Sequence, residues 1–183
     1  METNNRQRHN KGDRQIRSIY SRSLLNRRVV LPITKIGKNI HQTIEDNITF
    51  NYEGKCSVEG YIKHGSSKVL TYSCGLIERG VDILFDVVFE CDVCFPVEGM
   101  NIECIAKNIT KAGIRAESAN DANSPFVLFI AKDHYYNNDY FSEIKENDKF
   151  IAKVIGQRFE LNDSYISIIG ELVKPKRIYQ ANK

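Results

Sequence analysis

The stretch ILFDVVFECDVCFPVEGM, residues 83–100, decides how the rest of the chain is divided. Ile83, Phe85, Val87, Phe89, Cys91, Val93 and Phe95 share one phase, and Asp86, Glu90 and Asp92 lie on the other. An apolar period of two sustained this long is that of a half-buried β-strand. Pro96 and Gly99 then break the alternation, and such punctuation marks a junction. A chain of 183 residues has room for two small domains. One module is therefore expected on each side of residues 96–100.

On the N-terminal side, residues 28–34 read as a first strand, with Pro32 at an edge or end because it has no N–H to donate. Ile36, Ile40, Ile44 and Ile48 recur every four residues and form the apolar stripe of a helix. Gly54 follows and permits the turn out of it. Two further strands are expected before residue 83. Cys56, Val58 and Ile62 share a phase of one, and Leu70, Tyr72, Cys74 and Leu76 share a phase of the other. This half, residues 21–96, is an α+β unit with one helix on an antiparallel sheet. On the C-terminal side, strands are expected at 101–108, 113–118, 126–131, 149–159 and 165–173, with a short helical insert over 134–144. Three strands, an insert and a two-stranded hairpin make the order of an all-β OB barrel over residues 97–175.

The ends differ from this body. Residues 1–28 carry a net charge of +6 and the remainder −3. Residues 1–20 lack periodicity and read as a disordered basic arm, and 176–183 as a short basic tail. No apolar run approaches the ~20 residues that span a bilayer. The polar N-terminus lacks the apolar core of a secretory signal, so an intracellular protein without a membrane partner is expected.

Catalysis finds no candidate. No phosphate-cradling glycine motif occurs, and His9, His41, His64 and His134 stand apart from any nucleophile pattern. The protein is read as not an enzyme, with no cofactor and no metal. Cys91 and Cys94 are the only close cysteine pair among five. Positions three apart on a strand face opposite ways, so the pair cannot grip one ion without a bulge. Buried or interfacial thiols are expected; a thiol or zinc site on Cys91 and Cys94 is the rival. The barrel half offers a binding surface instead. Lys107, Lys111, Arg115, Lys132, Lys153 and Arg158 fall near strand ends or on outward phases, interleaved with Tyr135, Tyr136, Tyr140 and Phe159. A cationic groove with stacking platforms is how OB barrels hold single strands. The same residues also suit plain solvation of the barrel, with Tyr140 and Phe159 plugging it.

The segment Glu53-Gly-Lys-Cys56-Ser-Val-Glu-Gly60-Tyr61-Ile62 resembles the E-G-x-C…G-Y-I signature of the stalk subunit of multisubunit DNA-directed RNA polymerases. That family comprises the seventh subunit of RNA polymerase II and its archaeal equivalent. Leu31-Pro32 through Gly37, the Phe85–Phe89 strand and Pro96–Gly99 resemble its surrounding elements in order. The resemblance implies a tip domain that docks on the polymerase core and a barrel of S1 type that contacts nascent single-stranded RNA. A fourth-subunit-like stalk partner is also implied. Gly54, Cys56, Gly60, Tyr61 and Ile62 would form the core-docking tip, the glycines supplying backbone freedom and Tyr61 and Ile62 an apolar anchor. Equally, both glycines suit turns within the module's own fold. Two features depart from the family pattern: the longer basic arm, and Lys111-Ala-Gly-Ile114 where many S1 domains carry a Phe-Gly stacking pair. Richness in Ile, Asn and Lys points to an AT-biased source such as a large DNA virus. The expected location is then the cytoplasm of the infected cell or the virion, otherwise the nucleus. The rival reading is a free-standing S1/OB RNA-binding factor in translation or RNA decay.

Overall fold

The computed structural model describes residues 18–78, 80–134 and 139–174. The basic arm up to residue 17, the basic tail and Tyr135 and Tyr136 lie outside the described residues.

The alternating stretch forms β6 (Asp82–Cys94), the spine of the first sheet. Along one side it pairs antiparallel with β1 (Tyr20–Pro32) over the whole of both strands, from Tyr20↔Cys94 to Pro32↔Asp82. Its other side is shared by β3 (Gly60–Ile62), β4 (Lys68–Tyr72) and β5 (Leu76–Glu78), with β2 (Cys56–Ser57) hairpinned onto β3. The first strand is thus longer than the 28–34 expected from its Val-Val-Leu run. Ser21, Ser23 and Arg27 interrupt the inward phase in the sequence, but Leu25, Val29 and Leu31 keep it and are buried. Pro32 ends this edge strand, where its missing N–H costs nothing.

Helix α1 (Ile40–Tyr52) lays its stripe on the sheet. Ile44 and Ile48 are buried against a core containing Leu25, Val29, Leu31, Val69, Phe85, Val87 and Phe89, and Ile40 and Ile36 pack at its margin. Burying each such side chain stabilises by roughly 1.5–3 kcal/mol. Two expected phases fail locally. Val58 sits exposed in the turn between β2 and β3, and a bulge between Val69 and Thr71 turns Val69 inward and Leu70 outward. A bulge adds one residue, so every position after it changes face.

The second half closes into a barrel of five strands: β7 (Asn101–Ile109), β8 (Gly113–Ser118), β9 (Phe126–Ala131), β10 (Lys149–Arg158) and β11 (Ile166–Leu172). The order around it is β10-β11-β9-β8-β7, with β9 and β11 parallel and the other pairs antiparallel. This closed arrangement is consistent with an OB barrel. Ile102, Cys104, Ala106, Ile114, Ala116, Phe126, Leu128 and Ile130 fill it, and a short helix α2 (Asp139–Glu143) adds Phe141. Among the described residues no helix is long and apolar enough to cross a membrane.

Candidate nucleic-acid interface

The Glu53–Ile62 segment sits at the seam between sheet and barrel. Gly54 takes a φ of 73°, the left-handed conformation that closes α1, and its N–H donates to the Ile62 carbonyl at 2.8 Å. A Cβ on Gly54 would meet the ring of the exposed His64 side chain, which can swing aside, so it is the positive φ that calls for glycine here. The buried Glu53 carboxylate accepts the Gly65 N–H at 2.7 Å and the Ser67 N–H at 2.9 Å, fixing the 63–67 turn. Gly60, at φ 125°, lies so close to the Cys94 carbonyl that no Cβ fits. The Cys56 N–H donates to the Asp163 carbonyl at 2.8 Å, and the Asn162 N–H to the Cys56 carbonyl at 2.9 Å. These two bonds stitch β2 to the turn between β10 and β11.

Tyr61 and Ile62 are not an exposed anchor. Tyr61 is 3 % exposed and packs with Cys56 and Cys94 into the barrel's core, while Ile62 is wholly buried in the core of the sheet. An anchor for another protein must reach it, so their apolar role is internal. Cys91 faces the sheet core and Cys94 the barrel core, the opposite directions that strand geometry dictates. Burial pushes the Cys94 thiol up to about 12 and the Cys91 thiol to about 11. Tyr20 completes the seam: burial first, and then the neighbouring Asp121 carboxylate, raise its phenol far above the ordinary value. The Lys63 ammonium lies 4.6 Å from the centre of its ring.

The barrel's cations do not form one cluster. Lys111 occupies the β7–β8 turn and Lys132 follows β9, their backbones joined where the Lys132 N–H donates to the Ala112 carbonyl at 2.9 Å. Lys107 sits at the bulge in β7 beside the Asn108↔Arg115 pair. Arg115, 53 % exposed, lies 3.6 Å from Glu117 on the outer face of β8. Arg158 stands at the opposite end of the barrel, on the β10–β11 turn, 3.2 Å from Glu160.

Beside Arg115 lies an aromatic side chain that the strand phases alone had not brought forward. Phe129 pairs with Arg115 across β8–β9 and with Ile169 across β9–β11, and is 38 % exposed on the outer face. Its ring leans over Gly113, whose added Cβ would come within 2.9 Å of Phe129 Cζ. The signal was present in the alternation: Phe126, Leu128 and Ile130 point inward, so Phe129 had to point out. Tyr140 and Phe159, by contrast, pack partly buried against the barrel core. Arg115 and Phe129 thus lie side by side on the outer face of β8–β9, with Lys111 on the adjoining β7–β8 turn and Lys132 just past the end of β9. No group of three or more His, Cys, Asp or Glu side chains that could hold a metal occurs among the described residues.

No protein-family model matches the chain. It is 23 % identical over 168 residues to the L376 protein of Acanthamoeba polyphaga mimivirus, named as a DNA-directed RNA polymerase subunit, covering 85 % of this chain and 83 % of that protein. It is 22 % identical over 172 residues to DNA-directed RNA polymerase II subunit 7 of Arabidopsis thaliana, covering 81 % of this chain and 95 % of the plant protein. Both alignments run through sheet and barrel alike, and with the Glu53–Ile62 signature they make this chain a relative of DNA-directed RNA polymerase subunits.

Proposed function

We propose that the chain is a non-catalytic stalk subunit of a DNA-directed RNA polymerase. Residues 21–96 act as the tip that docks on the polymerase core, and residues 97–175 as an S1-type OB barrel that contacts nascent RNA. A fourth-subunit-like protein pairs with it. The observation that carries this reading is the closed five-stranded barrel bearing Arg115 and Phe129 side by side on β8–β9, joined to a sheet that holds the stalk-like signature. Docking is supported by apolar side chains left in solvent. Val30, Ile33, Leu76, Ile77 and Val81 are all exposed at the end of the sheet away from the barrel, and Val58 crowns the β2–β3 turn. Apolar side chains gathered at one end of a sheet support a docking role there. Gly54, Cys56, Gly60, Tyr61 and Ile62 serve docking from within, by holding that turn and the seam in shape. The mimivirus relative supports a viral, intracellular setting, in the infected cell or the virion.

The test is purification of the tagged full chain at high salt. Co-purification with the large catalytic polymerase chains and a small helical partner is expected. A chain that elutes free of them, yet binds RNA, is a free-standing RNA-binding factor, and the stalk reading falls.

A further inference from the structure

The charge of this chain is divided unevenly. Residues 1–17 hold Arg6, Arg8, Lys11, Arg14 and Arg17 against Glu2 and Asp13, a net of +3. Residues 18–174 hold 18 bases and 21 acids, a net of −3, and residues 175–183 hold Lys176, Arg177 and Lys183 with no acid. Among the described residues every arginine stands beside a carboxylate: Arg22 by Glu90, Arg27 by Glu59, Arg28 by Asp86, Arg115 by Glu117 and Arg158 by Glu160. The barrel face around Phe129 thus offers a ring, a compensated guanidinium and a few lysines, on a body whose net charge repels a polyanion. The point where residues 1–17 join the fold is fixed. Ile19 and Tyr20 pack against the barrel core, and Tyr20 opens β1 opposite Cys94. The Tyr20 N–H donates to Ser18 Oγ at 3.2 Å. Tyr20 neighbours Asp121, which accepts the Ser118 hydroxyl at 2.6 Å at the end of β8. Arg115 is three residues back along that strand, about 10 Å. The chain before Ser18 therefore starts close to the Arg115–Phe129 face, and its 17 residues span at most about 60 Å.

We infer that residues 1–17 are a phosphate-binding arm for single-stranded RNA, supplying the cations that the barrel face lacks. The inference rests on the RNA-contact reading above, and it moves most of the electrostatic affinity from the barrel to the arm. Four of the five cations are arginines, whose planar fork takes two phosphate oxygens at once. They recur every two or three residues, with Asn4, Asn5, Gln7, Asn10 and Gln15 around them. Such amides hydrogen-bond to phosphate and sugar. Met1 and Ile16 are the only large apolar side chains of the segment, so its chemistry is charge and amide, not burial. The C-terminal residues carry the same net charge but follow β11, which β9 separates from β8. The arm is thus the basic segment that starts at the strand bearing Arg115.

The test uses the full chain and a fluorescein-labelled oligouridine, read by anisotropy over a series of salt concentrations. One variant combines Arg6→Gln, Arg8→Gln, Lys11→Gln, Arg14→Gln and Arg17→Gln. It is expected to keep the melting temperature, to lose at least about tenfold in affinity at low salt, and to flatten the slope of log affinity against log salt by about 3.5, at ~0.7 per phosphate contact on a single strand. A second variant, Lys176→Gln with Arg177→Gln and Lys183→Gln, is expected to leave the slope as it was. Phe129→Ala is expected to weaken binding with the slope retained. If Phe129→Ala weakens binding while the five-fold arm variant keeps the original affinity and slope, the arm proposal is overturned and the barrel-face reading survives. If the unaltered chain does not bind the oligomer, the RNA reading falls and the arm proposal with it. Loss of slope in the C-terminal variant in place of the arm variant overturns the proposal. So does duplex DNA that binds through the arm more tightly than oligouridine, which would make the arm a DNA contact.

Discussion

Single residues at the seam do more than the motif around them announces. Cys56, Cys91, Cys94 and Cys104 are buried, and only Cys74 is exposed. Burial raises the four thiols to between about 11 and about 12, against ~8.5 for a free thiol. The sign follows from linkage. A raised folded value means that the neutral thiol is favoured in the fold, so this stabilisation is complete below ~8.5 and is lost as pH climbs towards 11–12. A thiol-specific chromogenic reagent at pH 8 should therefore titrate one cysteine in the native chain and five in guanidinium. The melting temperature should drop above pH 9. Rapid titration of more than one native thiol would contradict the seam as described.

At the scale of elements, the helix and its sheet depend on a few contacts. Ile48 is wholly buried in one core with Phe89 and Val87, and among the described residues α1 is the helix that covers that face. Ile48→Ala should cost roughly 2–5 kcal/mol in a denaturant titration. Ile36→Ala, before the helix and only partly buried, should cost well under half of that. Equal losses would mean that the helix packs along its whole four-residue stripe and not through Ile44 and Ile48. In the sequence the two isoleucines are indistinguishable members of one period. Only the start of the helix at Ile40 separates them.

For the whole molecule, the governing fact is that the barrel's apolar core takes in Cys56, Tyr61 and Cys94 from the sheet half. Two halves sharing a core should melt together. Tyr61→Ala, which hollows that shared region, should lower the stability of both halves by about 3–5 kcal/mol, seen as one shifted transition by both sheet and barrel probes. Two separated transitions in the unaltered chain would show that the seam is a mere contact. For the same reason a Gly60/Tyr61 double substitution should loosen the barrel as well as any docking surface, so an assembly assay on it must include a folding control.

The alternation of residues 83–95, the four-residue stripe from Ile36 to Ile48, and the strand order after Pro96 were enough to foresee an α+β half followed by a five-stranded barrel. Periodicity reports which side of an element avoids water, and that is settled locally. The Glu53–Ile62 signature likewise pointed to the polymerase relatives. Tertiary structure alone decided what those residues touch: that Tyr61 turns into the barrel and not outward, that Arg158 lies far from Lys111, and that Phe129 meets Arg115 on the outer face of β8–β9. Contacts between positions tens of residues apart depend on how strands are registered and closed. The apolar alternation fixes which face each strand presents, and turn geometry the register of neighbouring strands, but neither names the partners that closure brings together from distant parts of the chain.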